Sequence, residues 1–258
     1  MKKLLIIIFA FTLIFFVSNS IYSQGWIMEE SDNSVTFIGN GWVKTLASNM
    51  EEVPITSMYN LGTNTIILIN EDELTYVKGS ADDYCNAIKA MRDEMNKQMP
   101  AEQVKMMEDL IVQEKAKPAP TVIVQKGSGE SIAGYSTTKY SILVDGELFE
   151  EKWISSDPAL KGLIQEMNEN VDLTMKIASC SVPDEVFLKT APEFSTAYKN
   201  VERSGIELKS ISYEYGSAEP GTEVLSLQKE NLSSEEFEVP GDYSESNFEE
   251  FIMSMFGM

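Results

Sequence analysis

Hydrophobic and polar positions divide this chain into blocks of contrasting period. Leu4 to Val17 is an almost unbroken apolar run preceded by Lys2 and Lys3 and followed by Ser18, Asn19 and Ser20. A basic start, a greasy core and a small residue at Ser23 are the pattern of a secretory signal peptide, here 1–23, with the cut expected after Ser23. The run is too short to span a bilayer comfortably. Further on, the period is two. Trp26 to Glu30, Ser34 to Leu46 (broken at Gly39-Asn40-Gly41), Val53 to Tyr59, Thr65 to Ile69 and Leu74 to Val77 read as strands. Turns fall at Asp32-Asn33, Leu61 to Asn64 and Asn70 to Glu73.

At Ser80 the period lengthens to that of a helix. Ser80 is a capping residue, and Asp82 and Asp83 favour the positive end of a helix dipole. Tyr84, Ile88, Met91, Met95 and Met99 then stack on one face until Pro100. A second helix carries Val104, Met107, Leu110 and Ile111 inward and runs out in the Pro-containing connector Lys115 to Pro120.

Strands resume at Thr121 to Gln125, with Lys126-Gly127-Ser128-Gly129 read as a hairpin turn. Ser131 to Ala133, Ser136 to Val144 and Glu147 to Ile154 follow, the last two joined by Asp145-Gly146. Asp157-Pro158 opens a helix with Leu160, Leu163, Ile164, Met167 and Val171 on its inner face. A shorter helix is expected over Pro192 to Arg203. Ile206 to Tyr215 and Thr222 to Lys229 read as an antiparallel pair turning at Glu219-Pro220-Gly221, and Glu245 to Phe256 as an amphipathic helix with Phe248, Phe251, Ile252 and Met255 on one side. Blocks of strands alternating with blocks of helices point to an α+β fold with an antiparallel sheet. The strand sets on either side of the connector look too small to stand alone, so 24–258 is read as a single exported α+β domain.

Composition narrows the function. Forty-one acidic residues against 20 basic ones give a net charge of −21, and loss of Lys2 and Lys3 with the leader takes it to −23. Such a field repels nucleic acid and anionic headgroups, so no nucleic-acid partner is expected. No later segment is long and apolar enough for a membrane span, and no cysteine near the cut could carry a lipid. Histidine is absent. That removes the usual general base, the commonest metal ligand and every Ser-His or Cys-His pair, so the chain is read as no enzyme, with no cofactor. Cys85 and Cys180 either form one disulfide or remain two buried thiols.

Three features invite chemistry. Met91, Met95 and Met99 repeat every four residues. Thioethers there suit an adaptable apolar pocket, or alternatively Cu(I). The acidic clusters Glu29-Glu30, Glu71 to Glu73, Glu235-Glu236 and Glu249-Glu250 lack calcium-loop spacing and read as solvated surface. Tyr140 and Trp153 sit where they pair across the Asp145-Gly146 turn, as sheet-core aromatics or as the wall of a ligand cavity.

Ile132-Ala133-Gly134-Tyr135, Lys139-Tyr140, Asp145-Gly146, Glu151-Lys152-Trp153-Ile154 and Phe237 to Tyr243 occur in an order that resembles an exported bacterial family, domain of unknown function 4412. That family is similar to the lipoprotein-carrier (LolA/LppX-like) fold. The resemblance implies a curved antiparallel sheet, an unclosed half-barrel packed against helices, and a lipid or lipoprotein acyl chain as partner in the periplasm or outside the cell. The ligand cavity would lie between the sheet and the first helix, lined by Ile88, Met91, Met95, Met99, Tyr140 and Trp153. The alternatives are a Met-based copper protein, a structural or interaction protein without a ligand, and an enzyme relying on a carboxylate pair.

Overall fold

The computed structural model describes residues 22–46, 54–182, 184–214 and 216–255. Of the expected leader, only Tyr22 and Ser23 fall within these residues; Val53, Tyr215 and Phe256 also lie outside them.

Five strands in succession, β1 (Tyr22–Glu30), β2 (Val35–Gly39), β3 (Trp42–Leu46), β4 (Ile55–Asn60) and β5 (Thr65–Asn70), pair as antiparallel neighbours, and β6 (Thr75–Ser80) extends the series. The turn chemistry is local. Asn40 and Gly41 both take positive φ, 56° and 73°, the backbone that a two-residue hairpin between Gly39 and Trp42 requires. Asn33 and Asn64 take the same left-handed region at neighbouring turns.

Two helices follow, α1 (Ala81–Gln98) and α2 (Ala101–Ala116), with Pro100 as the elbow between them. The capping residue is as expected. Ser80 Oγ accepts from the Asp83 N–H at 3.1 Å, and Asp83 Oδ2 accepts from the Ser80 N–H at 2.8 Å, a reciprocal capping box. The chain then returns to sheet through β7 (Val122–Ile132), β8 (Tyr135–Val144) and β9 (Glu147–Ser155). Asp157 caps a single 3-10 turn that leads into α3 (Lys161–Ser181). After α4 (Glu185–Thr190) and α5 (Thr196–Glu202) come β10 (Ile206–Glu214), β11 (Ser217–Ser233), the short β12 (Ser244–Ser246) and α6 (Phe248–Met255).

All twelve strands belong to one sheet, ordered β12-β6-β5-β4-β3-β2-β1-β11-β10-β9-β8-β7, which does not close into a barrel. Every pairing is antiparallel except β12 beside β6. The α+β class and the open, curved sheet are therefore as expected. The long strand β11 makes the sheet continuous. Its first part pairs β10, and from Val224 onward it pairs β1, starting at Glu30 and ending with Tyr22 opposite Ser233. β1 thus begins two residues ahead of the expected cut.

Local expectations fail at three places. Lys126-Gly127-Ser128-Gly129 is no turn: β7 runs through it, with a register shift between Ser128 and Ser131. Gly129 is needed because a Cβ there would collide with the Thr137 backbone of β8. The reversal comes at Ala133-Gly134, between the paired Ile132 and Tyr135. Glu219-Pro220-Gly221 is likewise strand rather than turn, with Ile211 opposite Pro220 and Ser212 opposite Glu219. The reversal falls instead between Glu214 and Ser217, at Gly216 with φ 79°. The segment expected as one helix from Pro192 is a 3-10 turn and then α5, while α4, capped by Asp184, had no signal strong enough to predict it.

The core has two main parts. On the inner face of the sheet, Trp26, Met28, Ile38, Val43, Leu208, Val224 and Leu227 pack against Leu160 and, from α3, Leu163, Ile164 and Met167. Nearer β5 and β6, Ile66 and Val77 meet Ala81 and Ala87 of α1, Leu173 of α3, and Phe248, Phe251 and Ile252 of α6. Cys85 and Cys180 form a disulfide with Cα atoms 5.2 Å apart, fastening α1 to the last turn of α3.

Candidate functional site

The apolar stripe of α1 is too wide for the core it meets. Ala81 and Ala87 are buried, and Tyr84, Ile88 and Met91 pack at the margin of the cluster around Phe251. Beyond that margin the stripe continues through Met95 and Met99. α2 folds back over it from Pro100 and buries none of its own residues. Met106 is 70% exposed and Val112 66%. Between the two helices lies an open groove of about 580 Å³, walled by Ile88, Met91, Met95 and Met99 on one side and Val104, Met107 and Ile111 on the other. Ile252 of α6 and Ser181 at the end of α3 close its inner end, and Arg92, Asn96 and Glu108 are its polar members.

Four of the six residues nominated from sequence thus meet in one groove. Tyr140 and Trp153 do not. Tyr140 is buried with Ile154 and Val201 under α5, on the opposite face of the sheet. Trp153 is buried in the inner-face cluster, with the ammonium groups of Lys139 and Lys209 at 5.0 and 5.3 Å from its ring centre. The expected position between sheet and helix is also corrected. Most of the space between the inner face and α3 is taken up by the cluster around Leu163, which is fully buried, leaving a small cavity of about 140 Å³ beside Met28 and Met167. Among the described residues, no strand residue lines the groove. The chain turns back at Pro100, so the distal methionines of α1 meet α2 rather than strands.

Volume and lining fall in the range of small-molecule sites, which are concave and mostly apolar with a few polar groups. Methionine walls repack around varied shapes. The arrangement can sequester a hydrocarbon. Among the described residues, Glu108 is the one carboxylate on its wall, with no second acid or base beside it.

A second concentration of chemistry escaped sequence reasoning. Lys152 is buried, and its Nζ lies 2.6 Å from Glu207, 2.7 Å from Glu202 and 3.4 Å from Glu150. The Tyr198 ring of α5 sits 5.1 Å from the same ammonium, and the Tyr198 hydroxyl donates to Glu150 at 2.6 Å. Burial alone would lower the lysine's pKa, but Glu207, Glu202 and Glu150 outweigh it and hold it above the ordinary lysine range. Burial pushes Tyr198 up, reinforced by the Glu150 carboxylate. Glu150 is raised too, by burial. It stands farthest from the ammonium of the three carboxylates, so the lysine and the tyrosine only partly offset the loss of water. The ammonium is buried while Glu202 and Glu207 keep partial exposure, and a charged lysine held by three carboxylates is no nucleophile. It pins α5 and β10 to β9. The available signal was Glu150 and Lys152 at alternate positions of a strand whose Ile154 is apolar, which places them on the face that α5 covers.

Glu202 and Glu207 also border a small cavity of about 140 Å³ with Glu30, Met28, Met167 and Lys209. Its charges are taken up: the two carboxylates by Lys152, Lys209 by Glu130 and Glu223, and Glu30 by the Ser34 hydroxyl at 2.9 Å. Glu30 is raised by burial, against the effect of Ser34. Among the described residues, no group of three or more Cys, Asp or Glu side chains is placed to hold a metal, and no helix is long and apolar enough to cross a membrane. No family model matches the chain, and no curated protein matches it.

Proposed function

We propose that the protein is a non-catalytic, exported carrier or receptor that holds an apolar ligand, a lipid or an acyl chain, between α1 and α2. One observation carries this reading. A helix of 16 residues with none buried lies across a methionine-rich stripe, leaving about 580 Å³ of apolar groove between them. A helix on a protein surface normally gains its stability by burying an apolar face. Here that gain is incomplete until something fills the groove. Each methylene transferred from water into it contributes about 0.8 kcal/mol. The leader-like pattern of the first 23 residues supports a carrier that works in the cell envelope or outside it, where lipid ligands are at hand.

The test is titration of the purified protein with a fluorescent fatty acid, alongside native mass spectrometry of protein taken from its own envelope. Met107→Glu puts a charge on the groove wall in a helix that contributes nothing to the core, and is expected to weaken binding at least about tenfold. Absence of probe binding to the wild type, together with no co-purifying lipid, sinks the reading. The four thioethers of Met91, Met95, Met99 and Met107 on one groove favour Cu(I) as the second ligand. Competition against a Cu(I) chelator decides it: copper retained by the wild type and lost in Met91→Leu/Met95→Leu supports that reading.

A further inference from the structure

Alongside the groove, and sharing Arg92 with it, lies a second cleft of about 660 Å³ with a different character. Its walls carry Lys89 and Arg92 from α1 and Lys115 from α2, beside the Cys85–Cys180 bridge. Three cations in one cleft stand out in a chain with 20 basic residues and a net charge of −21. Both helices pass from apolar to basic within one turn. Ile88 adjoins Lys89, and Ile111 is followed one turn later by Lys115. The groove therefore adjoins, through Arg92, a basic cleft walled by α1, Lys115 of α2, the end of α3 and the start of α4.

Building on the reading of the groove as a lipid site, we propose that its ligand is a single-chain anionic amphiphile. The hydrocarbon lies between α1 and α2, and the carboxylate or phosphate head sits among Lys89, Arg92 and Lys115. Size argues for one chain. The groove's volume of about 580 Å³ lies in the range of sites that hold one small-molecule ligand. Charge argues for the head. Arg92 is fixed in the cleft by donating Nη2–H to the Cys180 carbonyl at 2.8 Å. The cleft also has two acids, Asp184 and Glu185. Asp184 is occupied: it accepts the Val186 N–H at 2.9 Å as the cap of α4 and pairs with Lys115 at 3.5 Å. An ammonium has three donors, so that one contact leaves Lys115 able to meet a ligand anion as well. A neutral head in the same place gains no such attraction. In a protein whose overall field repels anions, a local basic cleft is what an anionic ligand needs in order to dock.

The experiment compares palmitate, palmitoyl lysophosphatidate and monopalmitoylglycerol by calorimetric titration of the disulfide-intact protein, in the wild type, in Lys89→Gln/Lys115→Gln and in Met107→Glu. At least one anion is expected to bind about fivefold tighter than the neutral ligand, an advantage that falls to about one in the double Gln variant and shrinks with added salt. Whichever of the two anions binds more tightly identifies the head group. Equal affinity for neutral and anionic ligands in the wild type, with all binding lost in Met107→Glu, overturns the head-group proposal and leaves the groove reading standing. Binding that survives Met107→Glu unchanged, or no binding to the wild type, overturns both.

Discussion

Replacing Lys152 by Met keeps most of the side chain's volume and deletes the one cation that Glu150, Glu202 and Glu207 share. At 2.6 and 2.7 Å, with an effective dielectric near 20, each close pair is worth about 6 kcal/mol of Coulomb attraction. Most of that is offset by the desolvation of the ammonium, several kcal/mol per buried ion. What decides the outcome is the residue of charge left behind: carboxylates held together at the α5–β9–β10 junction without the cation they shared. Breaking a buried pair in this way costs about 3–5 kcal/mol. For a chain of this size that lowers Tm by roughly 6–10 °C. The pH dependence has a definite sign. Glu150 is already raised by burial, and the variant removes the lysine that lowers it, so its folded pKa stays above the unfolded one and its penalty, complete at neutral pH, is relieved as pH falls through the folded value. In the wild type the raised lysine contributes stability that is fully present below the ordinary lysine pKa and is lost only as pH rises through its folded value. The gap between variant and wild type should therefore narrow on going from neutral pH to about pH 5. Urea unfolding followed by tryptophan fluorescence at both pH values measures it. A loss below about 1 kcal/mol at neutral pH, or an identical gap at the lower pH, would refute the argument that these carboxylates depend on Lys152.

Two further outcomes follow from the packing. Cys85→Ser/Cys180→Ser opens a link across 95 residues, for which the chain-entropy estimate is about 4.7 kcal/mol and the usual measured cost about 2–4 kcal/mol. Chemical denaturation of the variant against the oxidised wild type reads it, and a difference under about 1 kcal/mol would mean that α1 and α3 stay together without the bridge. Phe251→Ala empties a site that is 1% exposed between α6, β5 and β6, and should cost about 3–5 kcal/mol by thermal unfolding. A smaller effect, under about 1 kcal/mol, would show that α6 is dispensable to the core.

The parts of this fold that depend on neighbours in sequence were legible, and the parts that depend on partners far away were not. Ser80 with Asp83, Asp145-Gly146 and Asp157-Pro158 set their elements within four residues, and each appears as expected. Gly127-Ser128-Gly129 and Glu219-Pro220-Gly221 have the same composition as turns, yet each is held straight by a strand already beside it. Glycine there makes room for a crossing backbone: at Gly129 for Thr137, at Gly221 for Ser210. The pairing of β1 with β11, some 200 residues apart, has no local signature at all. The candidate site divides the same way. The methionine stripe follows from periodicity alone, so Ile88, Met91, Met95 and Met99 were found. That the stripe would face α2 instead of the sheet depends on the elbow at Pro100. Tyr140 and Trp153 were nominated because they are large and on adjacent strands, but they fall on opposite faces, as one step along paired strands requires.

Stability in this protein is distributed unevenly. Around β8, β9 and β10 the interior is closed, with Trp153 inside one face and Lys152 fully partnered inside the other. By contrast, α2 is tied to its neighbours through Pro100, the Lys115–Asp184 pair and the Lys189–Lys117 contact, and has no fully buried residue, with Val104, Met107 and Ile111 only half-buried. Local opening free energies follow such differences, and binding elements are drawn from the weakly held end. The disulfide sits at the boundary: it immobilises α1, one wall of the groove, and leaves α2, the other wall, free of any covalent tie beyond the chain itself. A groove with one fixed wall and one loosely held wall can admit a chain of hydrocarbon without disturbing the core, and the ligand's own burial then supplies the packing that α2 lacks. Hydrogen exchange is the direct reading of this asymmetry: α2 amides should exchange fastest among the helices longer than two turns, and should slow on addition of palmitate, while those of β9 remain unchanged.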